Sequence, residues 1–275
     1  MHVLALALWF GALTLSRLLG VETMGPGGRV VGAAVLVALV TGVAWAALQA
    51  ALVHDDLRAA FSPGEVAAML TATGFGKIMV LRLALMGVAA LALLPFASAP
   101  GLLYLLAATA LASLAFLGHA AAVPGGAGLA IRGVMGLHIL AAGAWIGSLP
   151  ILLWLGGRLE GEGLARVMQS FSRLGLLIVL ALVSSGFVAA WHNLPGFEAL
   201  YTSDYGRVLV LKVTLVGGMG VAALLNRNRF TPRLLQPELA GLARSGLRWS
   251  IAVEMSIGVG VVVLAAGLAG MDPLG

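Results

Sequence analysis

Cysteine is absent from the chain, which excludes disulfides, thiolate metal centres, iron–sulfur clusters and thiol catalysis. Charge is nearly as scarce: Asp, Glu, Lys and Arg make up 10% of the 275 residues, against 61% hydrophobic residues and a mean hydropathy of +1.05. Too little polar surface remains to clothe a soluble domain, and the chain falls in the membrane class. No phosphate-binding glycine loop, nucleophile triad or soluble metalloenzyme motif occurs, so no enzymatic activity is expected. The formal charge of +5 is spread over loops rather than gathered in a patch. That excludes a nucleic-acid partner and leaves the lipid bilayer as the partner that composition identifies. Without thiols, any soft-metal chemistry must use His and Met.

What is present is a series of long apolar runs. About 20 helical residues cross roughly 30 Å of hydrocarbon. Bounding the runs by Gly, Pro and charge predicts eight helices, at 2–19, 30–51, 78–97, 101–121, 132–155, 174–191, 206–225 and 249–270. The expected fold is all-α, a polytopic membrane protein with 1–275 as a single membrane domain and short loops. Met1-His2 lacks the basic start of a signal peptide and Arg17 follows the first span, so helix 1 is expected to be retained. Of the 16 Lys and Arg residues, Arg17, Arg29, Arg158, Arg166, Arg173, Arg227, Arg229, Arg233, Arg244 and Arg248 fall on one face. The others, Arg58, Lys77, Arg82, Arg132, Arg207 and Lys212, fall on the opposite face or in helix starts. Basic loops stay in the cytoplasm, so both termini are expected outside.

The chain also repeats itself. His2, Trp9, Gly11 and Leu13 recur as His138, Trp145, Gly147 and Leu149, and Phe75-Gly76-Lys77 with Arg82 recurs as Tyr205-Gly206-Arg207 with Lys212. A duplicated four-helix unit is expected, approximately 1–122 and 132–275. An even number of spans per unit makes the halves parallel, related by a pseudo-twofold along the membrane normal.

The five histidines, His2, His54, His119, His138 and His192, all fall at or near outer helix ends in this topology. His54 adjoins Asp55 and Asp56 in a polar loop and reads as an interfacial residue. His138 lies deeper, where an unpartnered ring is costly, so it should have a partner. Met135 is three residues earlier on the same helical face, and imidazole plus thioether is a donor pair that copper accepts. The candidate metal ligands are therefore His138, His2, His119, His192 and Met135. Glu254, well inside the last helix, is a candidate for an inner path or a structural charge held by another helix, with Met255 beside it. Arg82 and Lys212 join them as candidates for an inner path or structural charge, with snorkelling to the outer interface the expected behaviour.

The pattern His138-x6-Trp145-x-Gly147-x-Leu149-Pro150 resembles the signature of the copper resistance protein D (CopD) family. Leu117-Gly118-His119-Ala120-Ala121, Phe171-Ser172-Arg173-Leu174-Gly175, Tyr205-Gly206-Arg207, Lys212, Asn226-Arg227, Pro232-Arg233, Arg248 and Glu254 follow in that family's order, over roughly residues 102–273. The resemblance implies a bacterial inner-membrane protein linked to copper, moving it inward and working with a periplasmic carrier of the CopC type. That carrier is expected to be a separate protein. Two alternatives stay open on the residues themselves. One is a b-type haem redox protein using His2 with His138, or His119 with His192, as axial ligands. The other is a metal-free structural or assembly subunit.

Overall fold

In the computed structural model, residues 1–20, 26–93, 99–118 and 123–272 are described. The described residues are helical nearly throughout, with no strand among them. The long helices are α1 (His2–Leu19), α2 (Pro26–His54), α3 (Pro63–Ala72), α4 (Gly74–Ala92), α5 (Pro100–Ala112), α6 (Gly125–Gly156), α7 (Gly161–Asn193), α8 (Asp204–Leu225) and α9 (Ala240–Leu268). Seven of these are long and apolar enough to cross a bilayer. The eighth expected span, α5 with its 3₁₀ continuation Ser113–Phe116, is a shorter apolar helix ending at Phe116.

Several helices extend past the apolar runs. The α7 helix starts at Gly161 rather than near 174, because Leu164, Ala165, Met168 and Phe171 recur with helical spacing and are buried. Apolar content alone does not register such an amphipathic first half. The short α3 helix is missing from the sequence expectation for the same reason. Its Pro63 sits in the first turn and Glu65 beside it, both favourable at a helix start.

The core lies where α6 crosses α1. The α1 helix also packs on α2 and α5, and α4 closes the group by touching α2 and α5. In the second half α6 packs on α7 and α9, and α8 packs on α9. The C-terminal end of α8 runs through a π-helical turn, Asn226–Phe230, into a short turn at Thr231–Arg233, and both segments touch α7. Leu176, Leu177, Leu180, Val183, Phe187 and Trp191 of α7 are exposed, which is the surface a helix presents to lipid. Arg244 ties the α6–α7 connection to α9, with Nε donating to the Gly156 carbonyl at 2.8 Å and Nη1 pairing with Glu160 at 2.6 Å.

Two segments with the same sequence signature have the same local geometry. Thr73 Oγ1 accepts from Gly76 N–H at 2.8 Å and donates to the Met69 carbonyl at 2.8 Å. Ser203 Oγ accepts from Gly206 N–H at 3.0 Å and donates to the Ala199 carbonyl at 2.8 Å. A Cβ on Gly76 or Gly206 would strike the Met69 or Ala199 oxygen, at 2.4 and 1.9 Å. Both α4 and α8 therefore begin with a hydroxyl cap and a glycine pressed onto the preceding turn.

Candidate functional site: two histidine niches and a buried carboxylate

His2, at the start of α1, is buried against α2. Its Nδ1 lies 2.9 Å from the Ala38 carbonyl and 3.3 Å from Thr41 Oγ1. A carbonyl can only accept, so the network assigns the proton to Nδ1. The other nitrogen, Nε2, is buried with no hydrogen-bond partner among the described residues. The ring rests on Gly42, where a Cβ would come 3.0 Å from its Cε1. Trp45 meets it edge-on at 5.6 Å between centroids. Because its partners are residues 38–45, His2 lies about 18 Å below the end of α2 at His54, at roughly 1.5 Å per helical residue.

His138 occupies a matching niche on α7. Its Nδ1 is 3.0 Å from Ser185 Oγ. Ser185 donates its only proton to the Ala181 carbonyl, so the hydroxyl accepts from the imidazole. A Cβ on Gly186 would lie 3.4 Å from His138 Cε1. Thr41-Gly42 and Ser185-Gly186 thus play the same part toward the two histidines, a correspondence that neither pair announces in the sequence. Fixing Nδ1 by a second-shell acceptor and leaving Nε2 is the usual posture of a metal-ligating histidine. The niches differ in access: His2 is buried, whereas His138 is half-buried.

Each half also carries a basic residue on the helix opposite. Arg82 is fully buried, with Nε donating to Ser113 Oγ at 2.9 Å and Cζ 5.8 Å from the centre of the Trp45 ring. Its two terminal nitrogens have no hydrogen-bond partner among the described residues. The expectation that Arg82 snorkels is therefore overturned, because Ser113 and Trp45 hold the guanidinium inside the α2–α4–α5 group. Lys212 is half-buried on α8.

Glu254, on α9, is 2% exposed and is held from two other helical segments. Trp145 Nε1 donates to Oε2 at 3.4 Å and Asn226 Nδ2 to Oε1 at 2.5 Å. Thr231 Oγ1 donates to the Asn226 carbonyl at 2.7 Å, which fixes the π-helical turn that carries Asn226. The expected partner of Glu254 is thus a pair of neutral donors. Asn226 could have been found from sequence only as a polar residue at the end of an apolar run. Trp9, the counterpart of Trp145, has its Nε1 buried without a partner among the described residues.

The remaining candidates are distributed rather than gathered. His192 is exposed near the end of α7, about 10 Å along the helix from Ser185. Met135 is half-buried one turn before His138, and Met255 packs against the core next to Glu254. His119 lies outside the described residues. Among the described residues no three His, Cys, Asp or Glu side chains converge on a metal-sized volume.

A polytopic helical membrane protein with imidazoles niched in its interior is the class these features define. The chain belongs to the copper resistance protein D family: residues 165–268 match Copper resistance protein D, and residues 1–129 match Copper resistance protein D-like, N-terminal domain. It is 31% identical over 270 residues to Inner membrane protein YebZ of Escherichia coli (strain K12), covering 96% of this chain and 90% of that one. It is also 31% identical over 221 residues to Copper resistance protein D of Pseudomonas syringae pv. tomato, with 74% and 71% covered. Copper transport protein CutJ of Bacillus subtilis (strain 168) is 26% identical over 228 residues, 75% of this chain and 38% of its own length. No solved structure matches the chain.

Proposed function

We propose that this protein imports copper across the bacterial inner membrane, with both termini outside, and that copper enters on His and Met side chains reached from the outer face. The reading is carried by the His138 niche, where Nδ1 lies on Ser185 and the ring is half-buried, so that Nε2 is the nitrogen it would offer to a metal. Met135, one turn earlier on α6, adds a thioether on the same side of the helix. His2 is the equivalent donor of the first half, and His119 and His192 complete the pool. Two relatives carry copper resistance or copper transport in their names, which supports copper as the cargo. Copper suits this donor set because thioether ligation favours the softer ion over zinc.

In this reading the chain is two parallel four-helix repeats, and α5 with its 3₁₀ continuation is the eighth span. The matched His–Thr-Gly and His–Ser-Gly niches support duplication, as do the matched caps of α4 and α8. The Glu254 carboxylate and Met255 stand near the inner end of the route. A CopC-like periplasmic protein delivers the ion.

The test is copper stoichiometry and affinity on detergent-purified protein, comparing the native chain with His138→Ala and with His54→Ala as an exposed control. Loss in the first and retention in the second are expected. Equal binding in all three would remove the His138 niche from the reading.

A further inference from the structure

We propose that the first half contains a column of thioethers, Met69, Met79 and Met86, ending at His2, and that this column makes monovalent copper, Cu(I), the ion handled. The inference rests on the copper reading above and specifies the valence and the route.

Position along α2 orders the column. Met69 and Met79 pack with Ala46 and Ala50, bordered by Trp45 and Leu83. One turn deeper lies Gly42, whose missing side chain leaves room for the ends of His2, Leu83 and Met86. A Cβ there would stand 3.0 Å from His2 Cε1 and 3.3 Å from Met86 Cε. The thioether end and the imidazole therefore close over the same glycine. Met79 and Met86 are seven residues apart on α4 and so share a helical face. None of the three methionines is more than 2% exposed.

Methionine commonly fills gaps in apolar cores. What distinguishes this wall is its terminus: an imidazole with Nδ1 tied to the Ala38 carbonyl and a buried Nε2 that has no hydrogen-bond partner among the described residues. A core packed only for stability gains nothing from a bare lone pair, whereas a soft metal ion satisfies it. The charge of the cluster then decides the valence. Among the described residues no Asp or Glu belongs to it, and the Arg82 guanidinium stands close by, its Cζ 5.8 Å from the centre of the Trp45 ring that also flanks His2. Neutral donors beside a buried cation tolerate one added positive charge better than two, because an uncompensated divalent ion in this setting carries a far larger desolvation cost. The same guanidinium weakens retention, and an ion in transit must be released as well as bound.

Silver(I), a redox-inert soft monovalent ion, serves as the probe alongside Cu(I), on full-length protein in detergent. Met79→Leu with Met86→Leu keeps side-chain volume and removes sulfur. The double variant is expected to bind Ag(I) at least tenfold more weakly, with an unchanged melting transition. Arg82→Gln is expected to act in the opposite sense and tighten Ag(I) binding severalfold. In native protein labelled at the methionine methyls, Ag(I) should shift the Met79 and Met86 resonances, a readout that needs no variant to fold. Unmoved resonances, or native Ag(I) affinity in the double variant, overturn the column. If His138→Ala still abolishes copper binding in that event, the copper reading survives. Failure of the native protein to bind Cu(I), Ag(I) or Cu(II) defeats the copper reading itself.

Discussion

Gly11 of α1 and Gly147 of α6 lie backbone against backbone. A Cβ on Gly11 would come 2.3 Å from the Gly147 carbonyl carbon, and one on Gly147 would come 1.8 Å from the Ala7 oxygen. Lipid tails are as apolar as the side chains they replace, so helices in a bilayer associate through close packing of this kind. Ser148 Oγ, which donates to the Ala144 carbonyl at 2.6 Å, also stands 3.1 Å from the Gly11 carbonyl. The two glycines occupy matching places in the His-Trp-Gly-Leu pattern and are also each other's neighbours.

Gly147→Ala should therefore separate α1 from α6. Backbone atoms cannot yield as a flexible side chain does, so the cost is expected at or above the upper end of the usual ~1–3 kcal/mol for overpacking. The thermal transition in detergent measures it. Gly133→Ala, at an open position on the same helix, should leave the transition within about 0.5 kcal/mol of native. Equal transitions would show that the crossing is looser than described.

Gly42 and Gly186 should respond differently to the same substitution. A methyl at 42 would lie 3.0 Å from His2 and displace the ring or Met86, whereas one at 186 would lie 3.4 Å from His138, at ordinary contact. Gly42→Ala is expected to weaken copper or silver binding severalfold, and Gly186→Ala to leave it within about twofold. Titration of the two variants side by side checks the contrast, and the reverse order would refute it.

Glu254→Ala would leave the Trp145 and Asn226 donors buried without an acceptor. An unsatisfied buried donor costs about 1–3 kcal/mol, so the combined loss should exceed that of Glu254→Gln, which keeps one acceptor oxygen. Copper accumulation by cells carrying Glu254→Gln separates a path role from a structural one. A variant with native stability and native accumulation would take Glu254 out of the route.

Topology is tested by reporters. One fused after Gly275 should be active only outside the cytoplasm, and one placed within residues 234–239 only inside it. The opposite pattern would reverse the orientation read from the basic residues.

The expected helices and the observed ones agree where apolar runs are unbroken, as in α1, whose limits coincide with the expected 2–19. They part where a helix is amphipathic, as in the first half of α7 and in α3. Burial there is shared with other protein segments, so polar residues interrupt the run without ending the helix. The special status of His138 was legible because a deep imidazole in an apolar helix demands a partner. Its partner Ser185 was not legible, since a serine 47 residues away carries no mark of which helix face it occupies.

By itself, then, the sequence determined the class and the position of most of the long apolar helices. Composition and run length are one-dimensional properties, and a bilayer core without water leaves an apolar backbone little choice but helix. Only the tertiary structure decided the pairings. It seats the two histidines on Gly42 and Gly186, presses Gly11 against Gly147, gathers Trp145 and Asn226 around Glu254, and encloses Arg82 rather than letting it reach the interface. Those outcomes depend on how helices far apart in the chain rotate about their axes to bury small residues against each other. Hydropathy does not encode that rotation where a span such as α2, α4 or α6 is nearly equally apolar on every face.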